Sequence, residues 1–403
     1  MNTGFLFAEE MDLADQRVLL RLDVNVPIQD GKVRDDTRIR RIIPGLQALV
    51  AARAKIIILT HFGRPKGKIV PDLSIKPVAS CMAKLLGQPV VVETDVIGSG
   101  GVAAAAALQP GDILMMENLR FYPEEEANDQ GFAKKLAALG DVYVGDAFSC
   151  AHRAHASVDA LPRLIPAAAG RSFAAELNAL HAALAAPRRP LGAVVGGSKV
   201  SSKLALLENL VTKVDGLILG GGMANTFLLA QGIQIGASLT EPGMVATARK
   251  IMAKADDNGC RMILPIDLVV ATAFAANAPH RVTDGGDIAN DEMILDAGPQ
   301  SVATATAFLG ECQTIVWNGP IGAFELKPFD AATNAIASAV ARLTQDQQVM
   351  SFAGGGDTMA ALANAGVNDH FSYVSTAGGA FLEWLEGRTL PGVDALQQRK
   401  PTA

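Results

Sequence analysis

Cysteine is scarce. The four (Cys81, Cys150, Cys260 and Cys312) are scattered and form no C-x-x-C pair. That excludes a disulfide framework and fits a reducing compartment. An excess of basic charge is also missing. Lys+Arg number 35 against 41 Asp+Glu, a net charge of −6. No global field draws in nucleic acid or an anionic membrane, so neither is expected as a partner, and any anionic ligand must be held by a local basic cluster. No apolar run approaches the ~20 residues of a membrane span. The opening MNTGFLFAEEMDLAD has no basic segment followed by a long apolar one, so no secretory signal is expected and the protein reads as soluble and cytoplasmic. The Walker A pattern G-x-x-x-x-G-K-[ST] is absent too. Gly63-Arg64-Pro65-Lys66-Gly67-Lys68 is one residue short and runs into Ile69, which argues against a P-loop ATPase. Aromatics are only 5%, but hydrophobic residues reach 49%, so the chain is globular and not disordered.

What is present is a rhythm. The 403 residues suffice for two or three domains, large enough to need no disulfide or metal staple. Unbroken Val/Ile/Leu-rich runs alternate with helical patterns: RVLLRLDV, KIIILT, PVVV, DILMM and DVYV, then GAVV, GLIL, CRMILPIDLVV, TIVW, QVMSF and YVS. Such runs are strands buried on both faces of parallel sheets. About eleven of them overfill one open sheet, which predicts two α/β domains. In DDTRIRRIIPGLQALVAARA the apolar residues Ile39, Ile42, Ile43, Leu46, Leu49 and Val50 share a helix face. Pro44 interrupts it, predicting a short turn near Arg38 and the main helix from about Pro44. A connecting helix is expected over about 171–187, before PRRP at 187–190, and the domain break is placed there.

Ligands of open parallel sheets bind beyond the carboxyl ends of the strands. In the first half those positions carry Asp23, Asn25, His61, Arg64, Arg120 and Arg153, with Arg38 shortly after the first strand. Single surface arginines are ordinary. Five cationic side chains at one sheet edge describe a pocket for a small, multiply anionic substrate, since guanidinium forks match carboxylate and phosphate. In the second half the strand ends are glycine-rich: Gly196-Gly197-Ser198-Lys199 through Lys203, Gly220-Gly221-Gly222, Asn318-Gly319-Pro320 through Glu325, and Gly354-Gly355-Gly356-Asp357-Thr358. Glycine lets backbone approach a ligand, and a following helix N-terminus attracts phosphate. Lys199 and Lys203, four apart, would share a helix face and reach successive phosphates. Asp357, at the mouth of a phosphate loop, is placed to hold Mg²⁺. Together these describe a nucleotide site.

Two other patterns compete. Gly98-Ser99-Gly100-Gly101-Val102-Ala103 matches G-x-G-x-x-A, with Glu117 near where a dinucleotide fold puts its ribose acid, but Pro110-Gly111 leave a short helix between them. Cys150, His152 and His155 cluster like metal ligands but lack a fourth partner and i,i+4 spacing.

The motifs RLDVNVP, THFGRPKG, ENLRF, GDAFSCAHRAHAS, GGSKVSSK, LGGGMANTFL, WNGPIGAFE, AGGGDT and STAGGAFLEWLEGRTLPGV, in this order, resemble the phosphoglycerate kinase family along nearly the whole chain. The resemblance implies two Rossmann-like lobes, each a parallel sheet flanked by helices, joined by a helix and hinge. The lobes would cover 1–187 and 188–375, with a tail, 376–403, returning to the first. It implies reversible transfer of the 1-phosphoryl group of 1,3-bisphosphoglycerate to MgADP, giving 3-phosphoglycerate and MgATP, by a monomer. Asp23, Asn25, Arg38, His61, Arg64, Arg120 and Arg153 would bind the glycerate. Lys203, Glu325, Gly355, Gly356, Asp357 and Thr358 would bind ADP or ATP, with Asp357 on the metal. Arg38, Lys199 and Lys203 would stabilise the group in flight. Ser149, Cys150 and Ala377 depart from the family's commonest pattern; no charged position does. A dinucleotide-dependent oxidoreductase and a non-enzymatic anion-binding protein are the alternative readings.

Overall fold

The computed structural model describes residues 4–397. The chain forms two compact units, one of Met1–Leu177 with Thr389–Ala403, the other of Asn178–Arg388. Each is built on a six-stranded sheet whose strand pairs are all parallel. In the first sheet the order is Val91–Glu93, Ile113–Met116, Lys55–Leu59, Arg17–Leu22, Val142–Asp146, Ala167–Ala169. In the second it is Arg261–Ile263, Gly216–Leu219, Leu191–Val195, Thr314–Asn318, Met350–Gly354, Tyr373–Ser375. The strands are apolar on both faces because helices cover both, which removes the in/out alternation of a half-exposed sheet.

In each sheet the chain builds one side of its first strand and then crosses to the other, the point of reversal. In the first, Lys55–Leu59, Val91–Glu93 and Ile113–Met116 lie on one side of Arg17–Leu22, Ile113–Met116 stepping back between the other two, and Val142–Asp146 opens the opposite side. In the second the reversal lies between Leu191–Val195 and Thr314–Asn318. At such a point the loops leaving adjacent strands diverge and open a crevice.

Three local expectations are corrected. The helix after the first strand is continuous from Thr37 to Ala51, through Pro44. It buries Ile39, Ile42, Ile43, Leu46 and Leu49. Five such side chains at about 1.5–3 kcal/mol each outweigh the ~3 kcal/mol cost of an internal proline. The run CRMILPIDLVV is two strands. Arg261–Ile263 edges the parallel sheet, and Leu268–Ala271 is the centre of a separate antiparallel sheet with His280–Thr283 and Met293–Ala297. Pro265 lacks the N–H to continue the ladder. Asp267 then accepts from Ser301 N (2.7 Å) and Gln300 N (3.0 Å), capping the helix Pro299–Glu311. Lys199 and Lys203 do not share a helix, since Lys203 is the N-cap of Leu204–Leu210 and Lys199 lies in the loop before Ser201.

The helix Arg171–Leu180 continues as a single π-type turn, His181–Ala185, close to the expected connector. The division between units falls at Leu177/Asn178, inside this helix, not at Pro187. The chain returns to the first unit at Thr389, not at 376. Gly379–Leu385 stays with the second unit, where Asn209 Nδ2 donates to the Leu385 carbonyl at 2.6 Å.

Candidate active site

The first unit gathers the expected cations at its point of reversal. Asp23 follows Arg17–Leu22, and its Oδ2 accepts from Arg38 Nη1 at 3.0 Å and from the Ser149 hydroxyl, which follows Val142–Asp146. The two diverging loops are thus tied across the crevice. Asn25 Oδ1 accepts from Gly63 N (3.1 Å), and Arg120 Nη1 donates to the Gly63 carbonyl (2.8 Å), so the loop carrying Arg64 is clamped from both sides. Asn118 holds the same loop, taking Phe62 N (3.0 Å) on Oδ1 and donating to Phe62 O (2.7 Å). Arg38 and Arg64 are exposed, Arg153 is half-buried, and His61 and Arg120 are buried.

Crowded positive charge marks this end of the sheet. Burial, and then Arg153, lower the pKa of Arg120; its Nε lies 3.2 Å from Glu126 Oε1. Burial pushes His61 well below its ordinary value, assisted by Arg21, Arg120 and Arg153. His155 is pulled down to about 3 by burial and then by Arg120, Arg21 and Arg153. Both imidazoles are therefore neutral at pH 7. Cations that suppress one another's charge are what an anion relieves. The same field opposes a metal cation at Cys150, His152 and His155. Cys150 Sγ lies 4.0 Å from both Arg21 Nη2 and His61 Nδ1.

The second unit knots its glycine loops at the matching point. Lys203 Nζ donates to Gly196 O (2.6 Å), Asn318 O (3.0 Å) and Asn318 Oδ1 (2.6 Å), bridging the two strand ends on either side of the reversal. Asn318 Nδ2 donates to Gly354 O (2.8 Å), which also accepts from Thr358 Oγ1 (2.8 Å). Thr358 Oγ1 accepts from Gly319 N at 2.7 Å. Gly355 has φ +103, and a Cβ there would stand 2.9 Å from Asn318 Nδ2. Only glycine satisfies both conditions. Burial lowers Lys203 to about 8, against a raising influence of Asp357.

Beside this knot is a cavity of about 330 Å³, lined by Gly197, Gly221, Gly222, Ile321, Glu325 and Asp357 among others. Its apolar wall includes Leu239 and Phe274, which are 54% and 64% exposed. Exposed side chains of this size give the cavity an apolar wall that a ligand can cover. Asp357 lies in the first turn of the helix Gly356–Asn364 and is exposed. Asp296 also lines the cavity, and burial raises it to about 7. Lys199 is exposed on its loop and is not among the lining residues.

Sequence reading missed Arg21, Glu125, Ser157, Asn318 as an anchor, and Asp296. The one signal available was a charge inside a buried run, as in RVLLRLDV and MILDA.

The dinucleotide pattern is spent on local structure. Asp95 accepts from Gly98 N (3.0 Å) and Gly100 N (2.9 Å). Glu117 accepts from Ser74 Oγ (2.7 Å) and from the backbone of Ile75 and Asn118 (2.9 Å each).

The comparisons place these two parallel-sheet units, one with an arginine-rich crevice and one with a glycine-looped cavity, among the phosphotransferases. The phosphoglycerate kinase family model matches residues 8–388. A phosphoglycerate kinase of Ruegeria sp. is 56% identical over 394 residues, covering 98% of this chain and 100% of that protein. One from Azorhizobium caulinodans is also 56% identical over 394 residues, covering 98% and 99%. The solved structure of phosphoglycerate kinase from Coxiella burnetii superposes with a TM-score of 0.92 at 43% identity, covering 97% of this chain and 98% of that one. The chain belongs to the phosphoglycerate kinase family. Its reaction is the family's reversible phosphoryl transfer between 1,3-bisphosphoglycerate and ADP, giving 3-phosphoglycerate and ATP.

Proposed function

We propose that the first-unit set of Asp23, Asn25, Arg38, His61, Arg64, Arg120 and Arg153 holds the glycerate substrate. The second-unit cavity, with Lys203, Glu325 and Gly355 to Thr358, takes ADP or ATP. The observation that carries this reading is that each set gathers where its sheet reverses, one cationic and the other lined by glycine backbone. Arg38, Lys199 and Lys203 stabilise the charge of the transferring group. An acyl phosphate is already activated and its carboxylate leaves without an acid, so positioning and charge stabilisation suffice and no protein nucleophile is needed.

Mg²⁺ fits as an ion carried with the nucleotide. Among the described residues no group of three or more His, Cys, Asp or Glu is arranged to hold a metal. The exposed Asp357 carboxylate at the cavity supplies the one or two protein oxygens that a phosphate-bound Mg²⁺ takes. When bound, the ion neutralises charge on the phosphate chain. Asp357→Asn is expected to weaken Mg-nucleotide binding while sparing 3-phosphoglycerate, as read by calorimetry with each ligand alone. Equal loss of both affinities would contradict the division of labour.

In-line transfer requires reacting atoms about 3–3.5 Å apart. With the two ligands on different units, the reading includes a hinge closure that needs both substrates. Small-angle scattering is expected to give a smaller radius of gyration with both ligands than with either, and ATP hydrolysis without acceptor is expected to be very slow. An unchanged radius or brisk hydrolysis would oppose closure. The reading also includes a cytoplasmic monomer; no described helix is long and apolar enough to cross a membrane.

A further inference from the structure

One charge beside the glycerate set has no role in it. Arg21 lies within the strand Arg17–Leu22 and is 1% exposed. A buried guanidinium must place its donors and find a counter-charge. Its Nε donates to Ser157 Oγ at 2.9 Å, Nη1 to the Leu22 carbonyl, and Nη2 to His61 Nδ1 at 3.2 Å. Ser157 is fixed in turn. Its backbone N–H and hydroxyl donate to the two oxygens of Glu125, at 2.9 and 2.5 Å, and its carbonyl accepts the Tyr143 hydroxyl at 2.9 Å. Glu125 has no exposed surface. Burial raises the Cys150 thiol beside Arg21, so that sulfur is neutral at pH 7 and supplies no counter-charge. Glu125 is the buried carboxylate that does.

The direction of these bonds has a chemical consequence. Guanidinium only donates, so His61 Nδ1 accepts, and the proton of the neutral ring sits on Nε2. We propose that Glu125 is a positioning residue which, through Ser157 and Arg21, fixes His61 as the Nε2–H tautomer, making it a neutral hydrogen-bond donor to the anionic substrate. The substrate clause rests on the reading given under Proposed function; the tautomer clause does not. The groups facing His61 are Arg21, Arg120, Arg153 and His155, with Cys150 in contact. Four neighbours that are cationic or basic disfavour a second ring proton, so a single neutral tautomer is the state to be selected.

The experiment is ¹⁵N–¹H correlation of the histidine rings in the ligand-free full chain. It is run for wild type, Glu125→Gln and Ser157→Ala, with the His61 signals assigned by a His61→Asn variant. Wild type is expected to show His61 protonated on Nε2 between pH 5.5 and 8. Both variants are expected to gain the Nδ1–H tautomer. Their KM for 3-phosphoglycerate should rise about tenfold, the scale of one lost hydrogen bond to a charged group, with KM for ATP unmoved. Ser157→Ala removes only a hydroxyl and covers the case in which Glu125→Gln does not fold. A wild-type ring protonated on Nδ1, or a tautomer unchanged in a folded variant, overturns the proposal. A tautomer shift without any change in KM for 3-phosphoglycerate leaves the relay standing and overturns the assignment of His61 to the substrate.

Discussion

Arg38→Ala is expected to fold normally and to lose about 10²–10³-fold in turnover, the scale for one donor aimed at transition-state charge. The Arg38 side chain is 44% exposed and pairs with Asp23, at 3.0 Å. An exposed pair of this kind contributes about 0–1 kcal/mol, so the melting temperature should barely move. Asp23 keeps the Ser149 hydroxyl and hence the tie across the crevice. A coupled assay with 3-phosphoglycerate and MgATP, beside a thermal melt, reads both quantities. Near wild-type turnover would remove Arg38 from the transferring charge.

Lys203→Met should lose a similar factor in turnover and also destabilise the protein. The ammonium satisfies Gly196 O and Asn318 Oδ1, and each buried acceptor left bare costs about 1–3 kcal/mol, whereas Asn318 O keeps Gly196 N at 3.1 Å. The pH dependence separates charge from structure. Lys203 is lowered to about 8, so wild-type kcat/KM for nucleotide should fall as pH rises through 8, when the site loses its cation. Stability should move the other way. Between pH 8 and the ordinary lysine value near 10.5, the unfolded chain binds a proton that the folded chain does not, so this residue's contribution rises with pH. In the methionine variant both trends at this residue should vanish. Activity of wild type that is flat to pH 10 would show that nucleotide phosphate does not depend on this charge.

The parallel sheets were legible because their strands are uninterrupted apolar runs, and GLIL maps onto Gly216–Leu219 residue for residue. Ala167–Ala169 was not, since three alanines carry no strand preference and pair only because Val142–Asp146 lies beside them. The antiparallel sheet was hidden because His280–Thr283 has one polar face and no long run. Among candidate site residues, those at strand ends could be found from position alone. The charge of Arg21 inside a buried run was visible but its role was not, because its partner Ser157 is 136 residues away, and Asn318 became an anchor only through Lys203, 115 residues earlier. Such roles live in tertiary pairing, which no local pattern encodes.

The segment from Thr389 completes the first unit. Leu390, Val393 and Leu396 are buried, Gly392 N donates to Ala151 O at 2.8 Å, and Gln397 bridges Phe5. The second unit is thus inserted within the first. A ribosome delivering this chain finishes every residue of the inserted unit before it supplies the piece that closes the outer one. The order of birth therefore lets the inserted unit mature on its own, while the unit bearing the arginine crevice must wait, held as an incomplete intermediate, for the segment from Thr389.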